Sequence, residues 1–253
     1  MVIGHTLHGA GPQGVIVLHG WMGDYSVFRP MFNFLDTDTF TYAFVDYRGY
    51  GKSKEIGGDY TMAEIAADAL ALADHLGWPQ FHLIGHSMGG MAVQRIAVDA
   101  TDRVQSVVAL TPVPASGVTF DDQTWALFSD AVDEPEKRTA VTDFGTGGRL
   151  TQRWLDMMTR RSVANSTVEA FRGYLSAWAK TDFAAEADGL ETPFLVLIGE
   201  YDGALSAEFM RETFLKWYPN ATLETIENAG HYPMYETPVL LATMMEAHMK
   251  EHV

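Results

Sequence analysis

The sequence predicts an α/β protein, with a mostly parallel β-sheet, helices on both of its faces and a helical insertion. Short β-branched apolar runs alternate with segments whose apolar residues recur at helical spacing. The runs are continuously apolar, which is typical of buried parallel strands and not of a half-exposed antiparallel sheet. In residues 113–188 such runs stop, and aromatic and methionine residues recur at helical spacing. We therefore predict a core of residues 1–112 and 189–253 and a helical cap of residues 113–188.

The individual elements follow from local signals in chain order. Seven segments have the length and composition of strands, and they span residues 1–8, 15–18, 41–45, 81–84, 104–110, 194–198 and 221–226. Helices of the core are predicted at residues 26–35, 61–76, 91–97, 206–217 and 237–251. The second of these has the clearest ends, because Thr61 and Glu64 form a capping box and Gly77 supplies a stop.

A strand, a serine and a helix follow one another between Phe81 and Ala97. The serine, Ser87, stands between Gly85 and Gly89, which is the Gly-x-Ser-x-Gly pattern in a strand–turn–helix context. Such a turn is tight, and glycine on both sides avoids a clash between side chains and the neighbouring elements. The hydroxyl of Ser87 is then expected at the carboxyl end of the sheet, beside helix N–H groups that favour negative charge.

A serine hydroxyl needs a base to remove its proton and a third group to orient that base. His231 is the predicted base, because it lies in a loop that follows a predicted strand. Asp202 is the predicted acid, since it follows another strand, and Glu200 is its nearest rival. The chain order Ser87, Asp202, His231 favours Asp202, because nucleophile, acid and base each follow a strand in the order this architecture uses.

Together these motifs resemble those of the α/β-hydrolase family, and the resemblance covers nearly the whole chain. The matching segments are Gly85–Gly90 for the nucleophile elbow, His19–Trp21 for the oxyanion loop, Asp46–Ser53 for an Asp-x-Arg-Gly-x-Gly-x-Ser turn, Asp202 for the acid and Ala229–His231 for the histidine loop. The resemblance implies an eight-stranded sheet and an oxyanion hole formed by the backbone N–H groups of Trp21 and Met88. Serine at position 87 argues against the haloalkane dehalogenase and epoxide hydrolase branches, which have aspartate there.

The resemblance implies a serine hydrolase that cleaves a carboxylic ester of a small to medium apolar substrate through an acyl-enzyme. Hydrolysis of a carbon–carbon bond in ring-cleavage dienoates, or of a lactone, is the alternative, and a hydrolase-fold ligand receptor is a further one. His19 and His86 adjoin the predicted site and are assigned structural roles. The residues predicted to line the substrate pocket are Trp21, His86, Trp125, Phe128, Trp154 and Met158.

The amino-acid composition excludes several classes of partner and cofactor. The formal net charge is −16, which repels nucleic acid and anionic membranes, so we expect a small-molecule substrate and neither of those partners. The chain has no cysteine, which excludes disulfides, thiolate zinc sites and a cysteine nucleophile. No motif for a metal or cofactor is present, and Asp46–Ser53 lacks the spacing of a phosphate-binding loop. The first eight residues do not resemble a signal peptide, which favours a cytoplasmic protein, and the oligomeric state is left open.

Overall fold

The computed structural model describes residues 2–253, which contain a seven-stranded sheet in the order β1-β3-β2-β4-β5-β6-β7. The strands are β1 (His5–Gly9), β2 (Gln13–Leu18), β3 (Phe40–Val45), β4 (Phe81–His86), β5 (Val104–Leu110), β6 (Phe194–Gly199) and β7 (Ala221–Ile226). β1 is antiparallel to β3, and the other neighbouring pairs are parallel. The mostly parallel sheet predicted from the continuous apolar runs is therefore confirmed.

The eighth strand implied by the family resemblance is not present in residues 2–253, so that part of the expectation is corrected. The antiparallel strand β1 consequently forms one edge of the sheet, and β7 forms the other edge.

Helices cover both faces of the sheet, because its strands are apolar on both sides. In β2, Val15 and Val17 belong to one buried apolar cluster, while Ile16 and Leu18 belong to another on the opposite face. The helices of the core are α1 (Met62–Leu76), α2 (Met88–Asp99), α8 (Ala207–Glu212), α9 (Phe214–Trp217), α10 (Pro233–Glu236) and α11 (Pro238–Lys250). α1 begins at the cap Thr61 and ends at Gly77 in the left-handed conformation, as predicted.

Two predicted helices differ in detail from the structure. Residues 25–34 form a 3-10 helix with Pro30 inside it, and the Asp24 side chain caps it by accepting from the Ser26 N–H at 3.0 Å. The predicted helix at 206–217 is divided into α8 and α9, because Thr213 leaves the helical conformation with φ −116° and ψ −83°. Apolar spacing alone does not register such a break.

Five helices lie between β5 and β6, and they are α3 (Asp122–Asp130), α4 (Pro135–Gly145), α5 (Gln152–Asn165), α6 (Val168–Lys180) and α7 (Ala184–Ala187). The change from strand-like to helical spacing in the sequence corresponds to this insertion. The division into a cap of residues 113–188 and a core of residues 1–112 and 189–253 stays a prediction.

No helix in the described part of the chain combines the length and apolar content that a bilayer span requires.

Two histidines make stability depend on pH, and they are the buried His82 of β4 and the half-buried His248 of α11. Burial, together with nearby His252, lowers the pKa of His82 and of His248 to about 4. An unfolded chain binds these protons near pH ~6.5, whereas the folded chain binds them only near their lowered pKa. We therefore expect the free energy of unfolding to be highest above pH ~6.5 and to decline as the pH falls towards about 4.

Thermal melts across this range measure the effect. His248→Gln is expected to flatten the decline, while His75→Gln, at an exposed position of α1, is the matched control and is expected to leave it unchanged. An unaltered slope in His248→Gln would contradict the assignment.

Candidate active site

Ser87 occupies a sharp turn between β4 and α2, with the unusual backbone angles φ 57° and ψ −116°. The flanking glycines make the turn possible. A Cβ on Gly85 would lie 2.2 Å from the Gly89 carbonyl oxygen, and a Cβ on Gly89 would lie 2.5 Å from that of Leu18. The Ser87 N–H donates to the Leu110 carbonyl at 2.9 Å, which ties the turn to β5. The strain of this conformation is typical of a functional residue.

His231 and Asp202 form a hydrogen-bonded pair in the loops that follow β7 and β6. His231 Nδ1 lies 2.7 Å from Asp202 Oδ2, and the carboxylate is fully buried. Its other oxygen, Oδ1, accepts from the N–H groups of Ala204 and Leu205 at 2.9 and 3.1 Å. Because the carboxylate can only accept, the proton resides on Nδ1, and Nε2 is left as the basic nitrogen of the imidazole.

Glu200, the rival for the acid, is placed elsewhere. Its Oε2 accepts from the Asn228 N–H at 3.0 Å, and the residue is exposed. The structure therefore brings Asp202 and not Glu200 to the histidine.

Ser87 and His231 line the same cavity. The hydrogen bonds formed within residues 2–253 do not include one between the Ser87 hydroxyl and the His231 imidazole. Bonds of this kind in catalytic sites often shorten only when substrate binds.

The two N–H groups predicted to form the oxyanion hole belong to two segments that meet beside Ser87. Met88 is the first residue of α2, where a backbone N–H has no acceptor in its own helix. The N–H of Trp21 donates to no group of residues 2–253. A Cβ on Gly20 would lie 3.0 Å from the Ser87 Cβ, so the segment 19–21 abuts the elbow. Both donors therefore adjoin the serine.

Buried side chains hold the segment 19–21 in place. The Tyr47 hydroxyl donates to the His19 carbonyl at 2.8 Å, and the Tyr50 hydroxyl donates to the Trp21 carbonyl at 3.0 Å. The Trp21 indole N–H donates to the Phe171 carbonyl of α6 at 2.7 Å. Sequence reasoning did not identify Tyr47 and Tyr50 as supports, because the glycine-rich stretch 46–53 marks a turn without showing what its tyrosines contact.

The cavity beside Ser87 has a volume of about 270 Å³. Of the predicted pocket residues, Trp21, His86 and Phe128 line it. The full lining is Gly20, Trp21, Met22, Gly23, Val27, His86, Ser87, Val113, Val118, Thr119, Phe120, Thr124, Phe128, Val141, Phe144, Gly145, Trp178, Gly203, Ala204, Leu205, His231 and Tyr232. Phe120 and Trp178 were not among the predicted pocket residues, although Trp178 lies in the aromatic pattern at helical spacing.

Three predicted pocket residues do not line the cavity. Met158 is buried in the apolar cluster on one face of the sheet. Trp154 packs edge-on against the ring of Tyr232, with 5.4 Å between ring centroids. Trp125 lies under the ammonium group of Lys180 at 4.2 Å. These side chains contribute to the packing of the inserted helices. The helical spacing of apolar residues fits such packing as well as it fits a cavity lining.

A family model described as alpha/beta hydrolase fold matches residues 14–238. The chain belongs to the α/β hydrolase fold family. The match includes the nucleophile elbow and the loops of Asp202 and His231. The resemblance seen in the sequence is therefore confirmed.

Three curated relatives of this α/β hydrolase have similar levels of identity. A dihydrolipoyllysine-residue acetyltransferase component of an acetoin cleaving system from Cupriavidus necator is 27% identical over 252 residues, and this match covers 97% of the chain but only 64% of that relative. The 3-oxoadipate enol-lactonase 2 of Acinetobacter baylyi is 28% identical over 214 residues, with 81% of the chain and 77% of the relative covered. The pimeloyl-[acyl-carrier protein] methyl ester esterase of Serratia marcescens is 26% identical over 258 residues, with 96% of each covered.

Among solved structures, the bromoperoxidase from Bacillus anthracis superposes with a TM-score of 0.88. It is 21% identical in sequence, and the superposition covers 97% of this chain and 94% of that one. At this level of identity the likeness concerns the fold.

His86 supports the loop that carries His231 in this α/β hydrolase. It is buried, and its Nε2 donates to the carbonyl oxygen of His231 at 2.8 Å. Burial lowers the pKa of His86 well below its ordinary value, so the imidazole is neutral. A neutral ring cannot repel a positive charge that develops on His231.

Glu236 and Arg149 stabilise the same loop from the other side. The buried Glu236 carboxylate accepts from the N–H groups of Gly230 and Tyr232 at 2.9 and 3.2 Å. Arg149, which precedes α5, pairs with Glu236 at 2.9 Å and donates to the Asn228 carbonyl at 3.1 Å. These contacts fix the backbone on which His231 is carried.

Proposed function

We propose that this α/β hydrolase cleaves carboxylic esters through an acyl-enzyme, with Ser87 as nucleophile, His231 as general base and acid, and Asp202 as the orienting carboxylate. One observation carries the proposal. Ser87 stands on a strained elbow and His231 is paired with the buried Asp202 carboxylate, and both line one largely apolar cavity, with the unengaged N–H groups of Trp21 and Met88 beside the serine. Nucleophilic acyl transfer needs these parts together.

In the first half-reaction the Ser87 oxygen attacks the ester carbonyl carbon, and its proton passes to His231 Nε2. The carbonyl oxygen becomes negative and is received by the N–H groups of Trp21 and Met88, each worth about 10²–10³ in rate. The tetrahedral intermediate collapses, and the alcohol leaves with the proton from His231. Asp202 stabilises the imidazolium that forms in between.

In the second half-reaction a water molecule attacks the acyl carbon while His231 takes one of its protons. The intermediate expels the Ser87 oxygen, which regains that proton, and the carboxylic acid departs. No step requires a metal ion or an organic cofactor.

The names of two relatives support ester chemistry, since one is a methyl ester esterase and another an enol-lactonase. A lactone is a cyclic ester, and the same steps open it. Lactone hydrolysis is therefore the second candidate, favoured by the enol-lactonase relative. The cavity of about 270 Å³ and its largely apolar lining support a small to medium apolar substrate.

A substrate panel tests the proposal. Purified protein is assayed with p-nitrophenyl esters from acetate to octanoate, with simple lactones and with a coloured ring-fission dienoate. We expect rapid ester turnover, with a burst that reports the acyl-enzyme. Fast loss of the dienoate without ester turnover would replace the proposal with carbon–carbon bond hydrolysis. A strong ligand-induced rise in melting temperature without turnover would indicate a receptor.

A further inference from the structure

Four aromatic side chains form one wall of the cavity that contains Ser87. We call them the ring wall, and they are Trp21, Phe120, Phe128 and Trp178. Phe128 stacks on Phe120 with 4.9 Å between centroids, and Trp21 stacks on Phe128 at 5.8 Å. Trp178 meets Phe120 and Phe128 edge-on at 5.7 and 5.6 Å. The wall therefore offers both ring faces and ring edges, which are the two arrangements that a further aromatic ring prefers.

The cavity lacks any compensating charge for an ionised substrate. No lysine, arginine, aspartate or glutamate of residues 2–253 lines it. Two arginines of the inserted segment are engaged elsewhere, since Arg138 donates to the carbonyls of Ala131 and Val132, and Arg149 pairs with Glu236. A carboxylate carried into this cavity would lose its hydration without gaining a cation, which is strongly unfavourable. The cavity consequently selects uncharged groups.

The size of the cavity sets a further limit. Its volume is about 270 Å³, whereas a cavity of about 150 Å³ is enough for benzene. One ring with the ester and a short linker fits such a space.

We propose that the substrates are uncharged esters that carry a single aromatic ring against the ring wall. This rests on the proposed function, because it names the substrate class of the same site. Ring–ring contact favours an aryl group over a linear alkyl group by about tenfold, since each aromatic pair is worth up to ~1.5 kcal/mol.

The test compares methyl 3-phenylpropanoate with methyl nonanoate, which has the same number of acyl carbons. The para-carboxylate of the aryl ester is assayed for the effect of charge. Phenylpropyl acetate, in which the ring is on the alcohol, is assayed for the position of the ring. One of the two ring-bearing esters is expected to exceed the linear ester by about tenfold in kcat/KM, and the carboxylate to fall at least about a hundredfold below its parent. Equal turnover of linear and aryl esters, or ready turnover of the carboxylate, would overturn the inference while ester hydrolysis stood. Absence of all turnover would overturn the proposed function instead.

Two variants test whether the cavity lining causes these substrate preferences. Phe120→Leu is expected to remove most of the aryl preference, while Phe34→Leu, at an exposed position outside the cavity, is the matched control. Thr124→Lys places an ammonium group on the half-buried rim and is expected to raise kcat/KM for the carboxylate by about tenfold or more. If Phe120→Leu keeps the full preference, or if Thr124→Lys leaves the carboxylate unimproved, the ring wall is not the determinant.

The peptide that joins Gly20 to Trp21 is held in place through its carbonyl group. Its N–H is the proposed oxyanion donor, and its carbonyl oxygen, on Gly20, is held by two contacts. His19 Nδ1 lies 2.8 Å from that oxygen, and the Gly23 N–H donates to it at 3.1 Å. In a planar trans peptide the C=O and N–H point in opposite directions, so a fixed carbonyl fixes the direction of the Trp21 N–H.

His19 is a neutral imidazole that donates to the Gly20 carbonyl. The Gly20 carbonyl can only accept, so Nδ1 carries the proton. Burial lowers the pKa of His19, and its Nε2 has no partner within the described chain, so the ring is neutral with Nδ1–H as its donor. The Tyr47 ring lies against it, with 4.1 Å between centroids, and keeps it in place.

We infer that His19 is a positioning residue for the oxyanion donor, which acts by holding the peptide plane of Trp21. The inference rests on the proposed function, and it predicts that a side chain donating from the Nδ1 position suffices. Asparagine places its amide nitrogen near that position, whereas leucine has similar bulk and no donor.

The measurement is kcat and KM for the best ester, together with inhibition by the matching trifluoromethyl ketone, which forms an oxyanion at Ser87. His19→Leu is expected to lower kcat about 10–100-fold with little change in KM, and to weaken inhibition by the ketone by a similar factor. This loss is smaller than the ~10²–10³ in rate expected when an oxyanion-hole donor is removed altogether. His19→Asn is expected to recover most of both. An unchanged kcat in His19→Leu, or equal losses in both variants accompanied by equally lowered melting temperatures, would overturn the inference.

Discussion

Replacement of Ser87 by alanine is expected to lower ester turnover by about 10⁴–10⁶-fold, the scale observed for removal of a triad nucleophile. The reason is that the acyl-enzyme cannot form without the Ser87 oxygen, while the cavity and the oxyanion donors remain. The variant should therefore still bind substrate, and its melting temperature should change little, because alanine keeps the Cβ at the backbone φ of 57° and removes only a hydroxyl group.

Labelling with a fluorophosphonate probe, followed by peptide mapping, measures the nucleophile directly. The wild-type protein is expected to carry the label on Ser87 alone, and Ser87→Ala is expected to carry none. Ser116→Ala, at a half-buried serine outside the cavity lining, is the matched control and should label and turn over normally. Label found on another residue, or turnover retained in Ser87→Ala, would remove the assignment of the nucleophile.

The second large effect is expected at Asp202. Asp202→Asn should lower kcat by about 10⁴-fold, because an amide in this position can donate to Nδ1 and stabilise the wrong imidazole tautomer. His231 would then present Nε2–H to Ser87 and could not accept its proton. The 2.7 Å contact between His231 Nδ1 and Asp202 Oδ2 is the observation on which this expectation depends.

Glu200→Gln is the comparison variant for Asp202→Asn, since it changes the neighbouring carboxylate in the same way. Among residues 2–253 the Glu200 carboxylate accepts only from the Asn228 N–H, at 3.0 Å, so kcat should change by less than about twofold. Steady-state kinetics of both variants on one ester provide the measurement. A larger loss in Glu200→Gln than in Asp202→Asn would move the acid to Glu200.

Much of this site follows from the local sequence. The elbow is a local feature, because Gly85, Ser87 and Gly89 fall within five residues and the turn admits no Cβ at the glycine positions. Asp202 and His231 are 29 residues apart in sequence, yet each follows a strand, and the carboxyl ends of neighbouring parallel strands meet at one edge of the sheet. Strand pattern and turn chemistry together were sufficient to predict where these residues lie in the fold.

The tertiary structure decided which side chains line the cavity. Trp154 and Met158 pack among other residues of the protein, while Phe120 and Trp178 line the cavity. Helical spacing shows that a face is apolar, but an apolar face can pack against another helix, against the sheet or around an open space. The direction of each face depends on how the inserted helices sit on the core, which no local signal encodes.

The sequence by itself determined the α/β class and the mostly parallel sheet, and it predicted Ser87, Asp202 and His231 as the catalytic set, because strands and turns depend on neighbours in the chain. The tertiary structure alone decided how the segment 19–21 is held and which side chains line the cavity. Tyr47 and Tyr50 reach the segment 19–21 across 28 and 29 residues of sequence, and Phe171 reaches Trp21 across 150. Contacts between segments so far apart exist only after the chain has folded, so they cannot be inferred from periodicity or motif spacing.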